Sequence, residues 1–211
     1  MFTHNRGVFL EPIVNGGLFM QFLKDKIRNQ ILKSALEEFS TFGFEKGSIR
    51  RIAQNSNISP GNIYRYFENK EDIFYHVVRP ALDRILYIIK YEEDKDEDVV
   101  LDEALLMFGD LCKSHRKELL VLIEGSDGTE YDSYKDMVVD MVNERMKSSF
   151  LGTMPYDAQK EFILKVQVEA MITGVIYILK SSIENKILGD FIRKFMKIQL
   201  ENLKERMDEI L

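Results

Sequence analysis

The sequence predicts an all-α protein of about nine helices, and three observations carry that prediction. The 211-residue chain holds 12 Gly and 4 Pro, too few for a sandwich, barrel or propeller, which turn about every 8–12 residues. Apolar residues recur at i, i+3 and i+4 through most of the chain, the mark of amphipathic helices. No period-2 run of useful length and no internal repeat stand against them.

The first helical pattern starts at Lys24 and carries Ile27, Ile31, Leu32, Ala35, Leu36 and Phe39 on one face. Gly43 follows, suited to the position just past a helix end. Ser48 reads as the N-cap of a short helix with Ile49, Ile52 and Ala53 inward. A break at 55–58 precedes Ser59-Pro60, an N-cap with proline at the first helical position, where its missing N–H costs nothing. That helix runs from Pro60 to about Phe67 and buries Ile63 and Phe67. Asn69, with Asp72 three residues on, reads as a capping pair for a helix through Ile73, Phe74, Val77 and Val78 toward Tyr91. Pro80 inside it is expected to bend or divide it. The acidic run 92–98 is a linker or helix start. Further helices follow at about 99–114, 116–124, 131–151, 157–181 and 188–209, with breaks at 125–129 and 151–155.

Composition narrows the function. The single cysteine, Cys112, excludes a disulfide framework and a cysteine zinc site, and fits a reducing compartment. His4, His76 and His115 lack metal-ligand spacing; no metal or cofactor is expected. No Gly-rich phosphate loop or Ser/His/Asp set is present, so the chain does not read as an enzyme. The most apolar stretch, Ala170 to Leu179, is half a membrane span, and the first residues lack a signal-peptide pattern; the chain reads as cytoplasmic, with no membrane partner. Net charge is −6, yet 20–80 carries ten Lys/Arg against seven Asp/Glu. Within 46–67 Lys46, Arg50, Arg51 and Arg65 meet no acid at all, the footprint of a local nucleic-acid contact.

Residues 48–67 therefore read as a helix-turn-helix. With Ile63 and Phe67 inward, the second helix presents Ser59, Gly61, Asn62, Tyr64, Arg65 and Tyr66, and its N-terminus is expected to attract anions. In such motifs the second helix enters the major groove.

The segment 31–74 resembles the DNA-binding domain of the TetR family of bacterial transcriptional regulators. The resemblance rests on Ala35, Phe39, Gly43-Phe44, Ser48-Ile49-Arg50, Ile52-Ala53, Ile58-Ser59, Gly61, Ile63-Tyr64, Tyr66-Phe67 and Asn69-Lys70-Glu71. Asn62 and Pro60 depart from the residues common in the family. The resemblance implies that Tyr64, Lys70 and Ser48 grip phosphates, and that Arg50, Ser59, Gly61, Asn62, Arg65 and Tyr66 contact DNA. Asn62 suits an adenine edge and an arginine suits guanine.

It further implies a homodimer on double-stranded DNA, its interface built from the last two helices, with Ala170, Gly174, Tyr177, Phe191 and Phe195 in contact. Gly174 is expected to let a partner helix approach closely. A small hydrophobic ligand is expected among Phe108, Cys112, Met137, Met141, Phe162 and Met171, with Gln167, Glu169 and Thr173 facing the cavity. The function implied is a repressor released by that ligand. The alternative is a DNA-binding protein of the same fold under a protein partner, or acting on DNA organisation, with its body filled by apolar side chains.

Three segments follow. Residues 20–79 are the reading head and 80–211 the ligand and dimer domain. Residues 1–19 are expected to be an extension outside the working protein: Gly16 and Gly17 codons can form a ribosome-binding sequence at initiation spacing before Met20.

Overall fold

A computed structural model describes residues 16–91, 97–151 and 157–210. The helices in order are α1 (Gly16–Lys46), α2 (Ile49–Asn55), α3 (Pro60–Ile63), α4 (Lys70–Ile89), α5 (Glu97–Ser114), α6 (Arg116–Glu124), α7 (Tyr134–Leu151), α8 (Ala158–Lys180), α9 (Asn185–Leu200) and α10 (Leu203–Ile210). Among the described residues there is no strand.

The structure departs from the sequence reading at α1, α3, α4 and the last helix, and by three residues at the starts of α7 and α9. α1 starts at Gly16, not Lys24. Its extra turns leave Phe19, Met20 and Phe22 more than half exposed, and a turn that buries no face has no apolar period to read. Of the expected extension, 1–15 lies outside the described residues. α3 closes at Ile63 because Arg65 and Tyr66 donate three residues back, to Asn62 and Ile63, the tight bonding of a 3₁₀ turn. α4 runs unbroken through Pro80. The proline is exposed while Val77, Val78, Ala81 and Leu82 are buried on either side of it, so packing holds the helix together across the missing bond. The last expected helix is two, parted at Asn202, whose φ of 51° takes the left-handed conformation that asparagine tolerates.

Other signals behave as read. Gly43 sits at φ 70° and turns the chain inside α1. Asn69 caps α4 by accepting from the Asp72 N–H at 2.8 Å, and the Asp72 carboxylate accepts in return from the Glu68 N–H at 2.9 Å.

The core forms two clusters. One joins the N-terminal helices to the body: Ile31, Phe39, Ile52, Ile63 and Phe74 are continuous with Leu122, Leu179, Leu188 and Ile192. Phe39 and Phe44 meet the Phe74 ring edge-on at 5.3 and 5.4 Å. The other gathers Leu105, Val139, Met146, Leu164, Val168, Met171, Leu200 and Leu203 between α5, α7, α8 and the C-terminal helices. Each such side chain contributes about 1.5–3 kcal/mol on burial.

α8 is by length and composition apolar enough to cross a membrane, which corrects the exclusion drawn from the ten-residue run. In the fold, Leu164, Val168, Met171, Val175 and Ile178 of this helix are buried in the two clusters.

α5 and α9 cross at backbone contact. A Cβ on Gly109 would lie 2.6 Å from the Gly189 carbonyl oxygen, and one on Gly189 2.5 Å from that of Gly109. Gly61, in contrast, has nothing within 4 Å of where its Cβ would stand. Gly109→Ala should therefore lower the thermal midpoint, by the roughly 1–3 kcal/mol of an overpacked site, whereas Gly61→Ala should hold or raise it. Thermal unfolding by circular dichroism compares the two; equal midpoints would contradict the crossing.

Candidate nucleic-acid interface

The interface is built on a carboxylate. Glu38 lies on the buried stripe of α1 with Ile31 and Ala35, and its side chain is only 2% exposed. Its Oε1 accepts from the Ser48 backbone N–H at 2.8 Å, where α2 begins, and from Arg51 Nε and Nη2 at 2.8 and 2.5 Å. Arg51 also donates to the Lys46 carbonyl at 2.9 Å and stacks over the Phe42 ring at 4.3 Å. A buried carboxylate needs its lone pairs filled, and filling them here fixes α2 against α1. Arg51, part of the basic patch in the sequence, is thus committed to the fold. The acid on an apolar stripe was the signal that would have found this pair.

The turn between α2 and α3 bends at Asn57, φ 55°. Ser56 is buried there, and Ile58 donates its N–H to the Ala53 carbonyl at 3.1 Å. Ile52, Ala53, Ile63 and Phe67 lie in the core and set the angle of α3. Ser59, Gly61, Asn62, Tyr64 and Arg65 then stand exposed on one side, joined by Arg50 of α2. Ser48 and Ser59 occupy N-cap positions, yet neither hydroxyl closes a cap bond.

Three of the expected features have other surroundings in the fold. Tyr66 is half-buried and packs against the core. The N-terminus of α3 is not rich in free N–H groups: Pro60 has none, and Asn62 donates its own to the Ser59 carbonyl at 2.9 Å. Lys70, expected on phosphate, turns inward. Its Nζ donates to the Phe44, Glu45 and Gly47 carbonyls at 2.8, 3.2 and 3.4 Å and sits 4.2 Å from the Phe44 ring centre. The ammonium caps the orphan carbonyls where α1 ends.

The residues expected around a ligand do not converge. Met137 and Phe162 are exposed, Met141 borders a hollow with Ile89 and Arg145, and Met171 is buried in the second cluster. Phe108 and Cys112 belong to the first cluster, where burial pushes the Cys112 thiol up to about 12. Gln167 donates to Gln199 at 2.7 Å. Helical periodicity gives a face, not the neighbours across it. Glu169 and Thr173 line an open groove between α8 and α9 with Ala170, Gly174, Tyr177, Phe191 and Phe195, the residues expected at a dimer contact. Gly174 is occupied from within: a Cβ there would meet the Phe195 ring at 2.4 Å.

Two short helices locked across a tight turn, with the second one's polar side chains in solvent beside arginines, define a helix-turn-helix DNA-binding head. Residues 31–77 match the profile of the bacterial regulatory proteins of the tetR family. The chain is 28% identical over 100 residues to the fatty acid metabolism regulator protein of Bacillus subtilis (strain 168), covering 45% of this chain and 50% of that one. It is 26% identical over 127 residues to the HTH-type transcriptional regulator YhgD of the same organism, covering 58% and 62%. The alignments thus span half to three fifths of these curated relatives. A TetR-family regulator from Bordetella parapertussis 12822 superposes with a TM-score of 0.61 at 15% identity, over 83% of this chain and 94% of that one. A TerR/AcrR-family regulator from Aquifex aeolicus VF5 gives 0.59 at 19%, over 82% and 98%. The family match thus covers the head, residues 31–77, and the likeness to these solved structures over most of the chain is one of fold.

Two predictions follow from the side chains' surroundings. Asn62→Ala and Arg65→Ala should shift sequence preference, at about 1–3 kcal/mol per lost base contact, while Tyr64→Ala should weaken all sequences alike; fluorescence anisotropy on selected and random duplexes separates them. Lys70→Ala should lower the thermal midpoint and leave the salt slope of binding unchanged. A slope reduced by about one would instead make Lys70 a phosphate contact.

Proposed function

We propose that the protein is a dimeric repressor whose two heads bind a palindromic operator, acting in the cytoplasm and released by a small apolar ligand. The observation that carries the dimer is an apolar face left in solvent on α8 and α9. Phe162, Val166 and Tyr177 are 68, 50 and 79% exposed, and Phe191 and Ile198 are 47 and 69% exposed. Positions 162, 166, 170, 173 and 177 form one stripe of α8. A contiguous apolar stripe of this kind marks an interaction surface, and a two-fold axis through it covers the same stripe on both copies. The exposed polar groups of α3 and Arg50 then read and grip the two half-sites.

For ligand control, the supporting observation is that Tyr134 Oη and Asn143 Oδ1 are buried without a hydrogen-bond partner, positions that a polar group of a ligand would satisfy. The name of the Bacillus subtilis relative makes fatty acids the first compounds to test. A second reading, control by a protein partner, is favoured by the scatter of the expected pocket residues and by the filled apolar clusters. Gel shift on DNA flanking its own gene, with and without long-chain fatty acids, decides between them: release by a ligand supports the first reading, and no release by any apolar compound tried supports the second.

Gly174→Leu does not test the dimer, since the new side chain would strike Phe195 of its own chain. Tyr177→Glu does. It should convert a dimer to a monomer in sedimentation at micromolar concentration while leaving the thermal midpoint of the fold nearly unchanged. A monomeric wild type would sink the dimer.

A further inference from the structure

We infer that Arg116, at the start of α6, is a positioning residue for the reading head, acting along α6 from the α8–α9 turn to α1. The inference rests on the reading of the protein as a dimeric DNA-binding regulator. Arg116 spends its guanidinium on one short stretch of chain. Nε donates to the Leu179 carbonyl at 2.7 Å, Nη1 to the Ile183 carbonyl at 2.7 Å and to Asn185 Oδ1 at 3.0 Å, and Nη2 to the Ser181 carbonyl. These acceptors close α8 and open α9, the two helices that carry the exposed apolar face. A planar fork with fixed donors holds the turn in one orientation against α6.

The same helix grips the head. Lys117 donates to both Glu37 carboxylate oxygens at 2.6 and 2.7 Å. Eight residues on, the Gly125 carbonyl accepts from the Phe44 N–H at 2.8 Å, just past the turn at Gly43. Glu37 and Phe44 are seven residues apart on α1, so α1 and α6 run side by side in the same direction. Lys180 of α8 also pairs with Glu124 at the far end of α6, at 2.9 Å. α6 is therefore a bar with the α8–α9 turn on one side and the first helix of the head on the other. This path does not pass through α4, and it sets where each head stands relative to the two-fold axis.

The test is half-site spacing. Duplexes carrying the palindrome that the full-length wild type selects from random DNA are made with the half-sites at their own separation, or one base pair closer or farther. Wild type should prefer its own separation by roughly tenfold, within the range of coupling between linked sites. Arg116→Ala should flatten that preference while single half-site affinity and dimer sedimentation stay unchanged, and Arg116→Lys should fall between. Lys117→Gln, on the exposed side of α6, should flatten it less, and it carries the test if Arg116→Ala fails to fold by circular dichroism. A merely structural arginine would lower the thermal midpoint and leave the spacing preference intact, and that result would overturn the inference. A wild type that is monomeric, or that selects no site, overturns the dimeric-regulator reading itself; a dimeric wild type with unaltered spacing in the variants overturns the inference alone.

Discussion

The carboxylate of Glu38 is the constraint on which the rest of the head depends. It lies out of water on a stripe otherwise given to Ile31, Ala35 and Phe39, and its charge is tolerable there only because the Ser48 N–H and the Arg51 fork meet it. Removing one partner of such a group leaves an uncompensated buried charge. The geometry that prevents this also starts α2 at one place on α1. From that point Ile52 and Ala53 reach the core, the chain turns at Asn57, and α3 leaves with Ile63 inward. The direction in which the exposed side of α3 points is thus a consequence of a bond made two helices earlier, on the opposite side of the motif.

Lys70 performs the same service at the other edge. Three carbonyls at the end of α1 converge on one ammonium, and Phe44 supplies a ring beneath it. Between them, Glu38 and Lys70 hold the end of α1 to the starts of α2 and α4, and the space enclosed is filled by Phe39, Phe44 and Phe74. Polar bonds fix direction here, while the aromatic cluster supplies most of the burial.

The head was legible because its signals are local. Ser48, Ser59-Pro60 and Asn69 with Asp72 declare helix starts within a few residues of themselves, and the family resemblance fell on the same segment. Glu38 and Arg51 escaped because their meaning lies thirteen residues apart, although an acid on an apolar stripe was visible. In the body, periodicity correctly marked helices and their apolar faces, and the groove of α8 and α9 contains every residue expected at a dimer contact. It could not say which faces meet. Phe162 and Met171 share a helix, yet one stands in solvent and the other in the second cluster. The break at Asn202 left no proline or glycine to announce it, and the turns of α1 before Lys24 left no period because Phe19, Met20 and Phe22 stand in solvent.

The exposed row on α3 has a consequence for how such a protein diversifies. Asn62, Tyr64 and Arg65 stand in solvent, while the residues that hold α3 in place, Ile63 and Phe67, face the other way. The residues that fold the helix and those proposed to read DNA therefore lie on alternate sides of the same short stretch. If the outward residues read DNA as proposed, a lineage can exchange them, and with them the DNA recognised, without disturbing the stability of the fold, so a duplicated copy can acquire a new target in few steps.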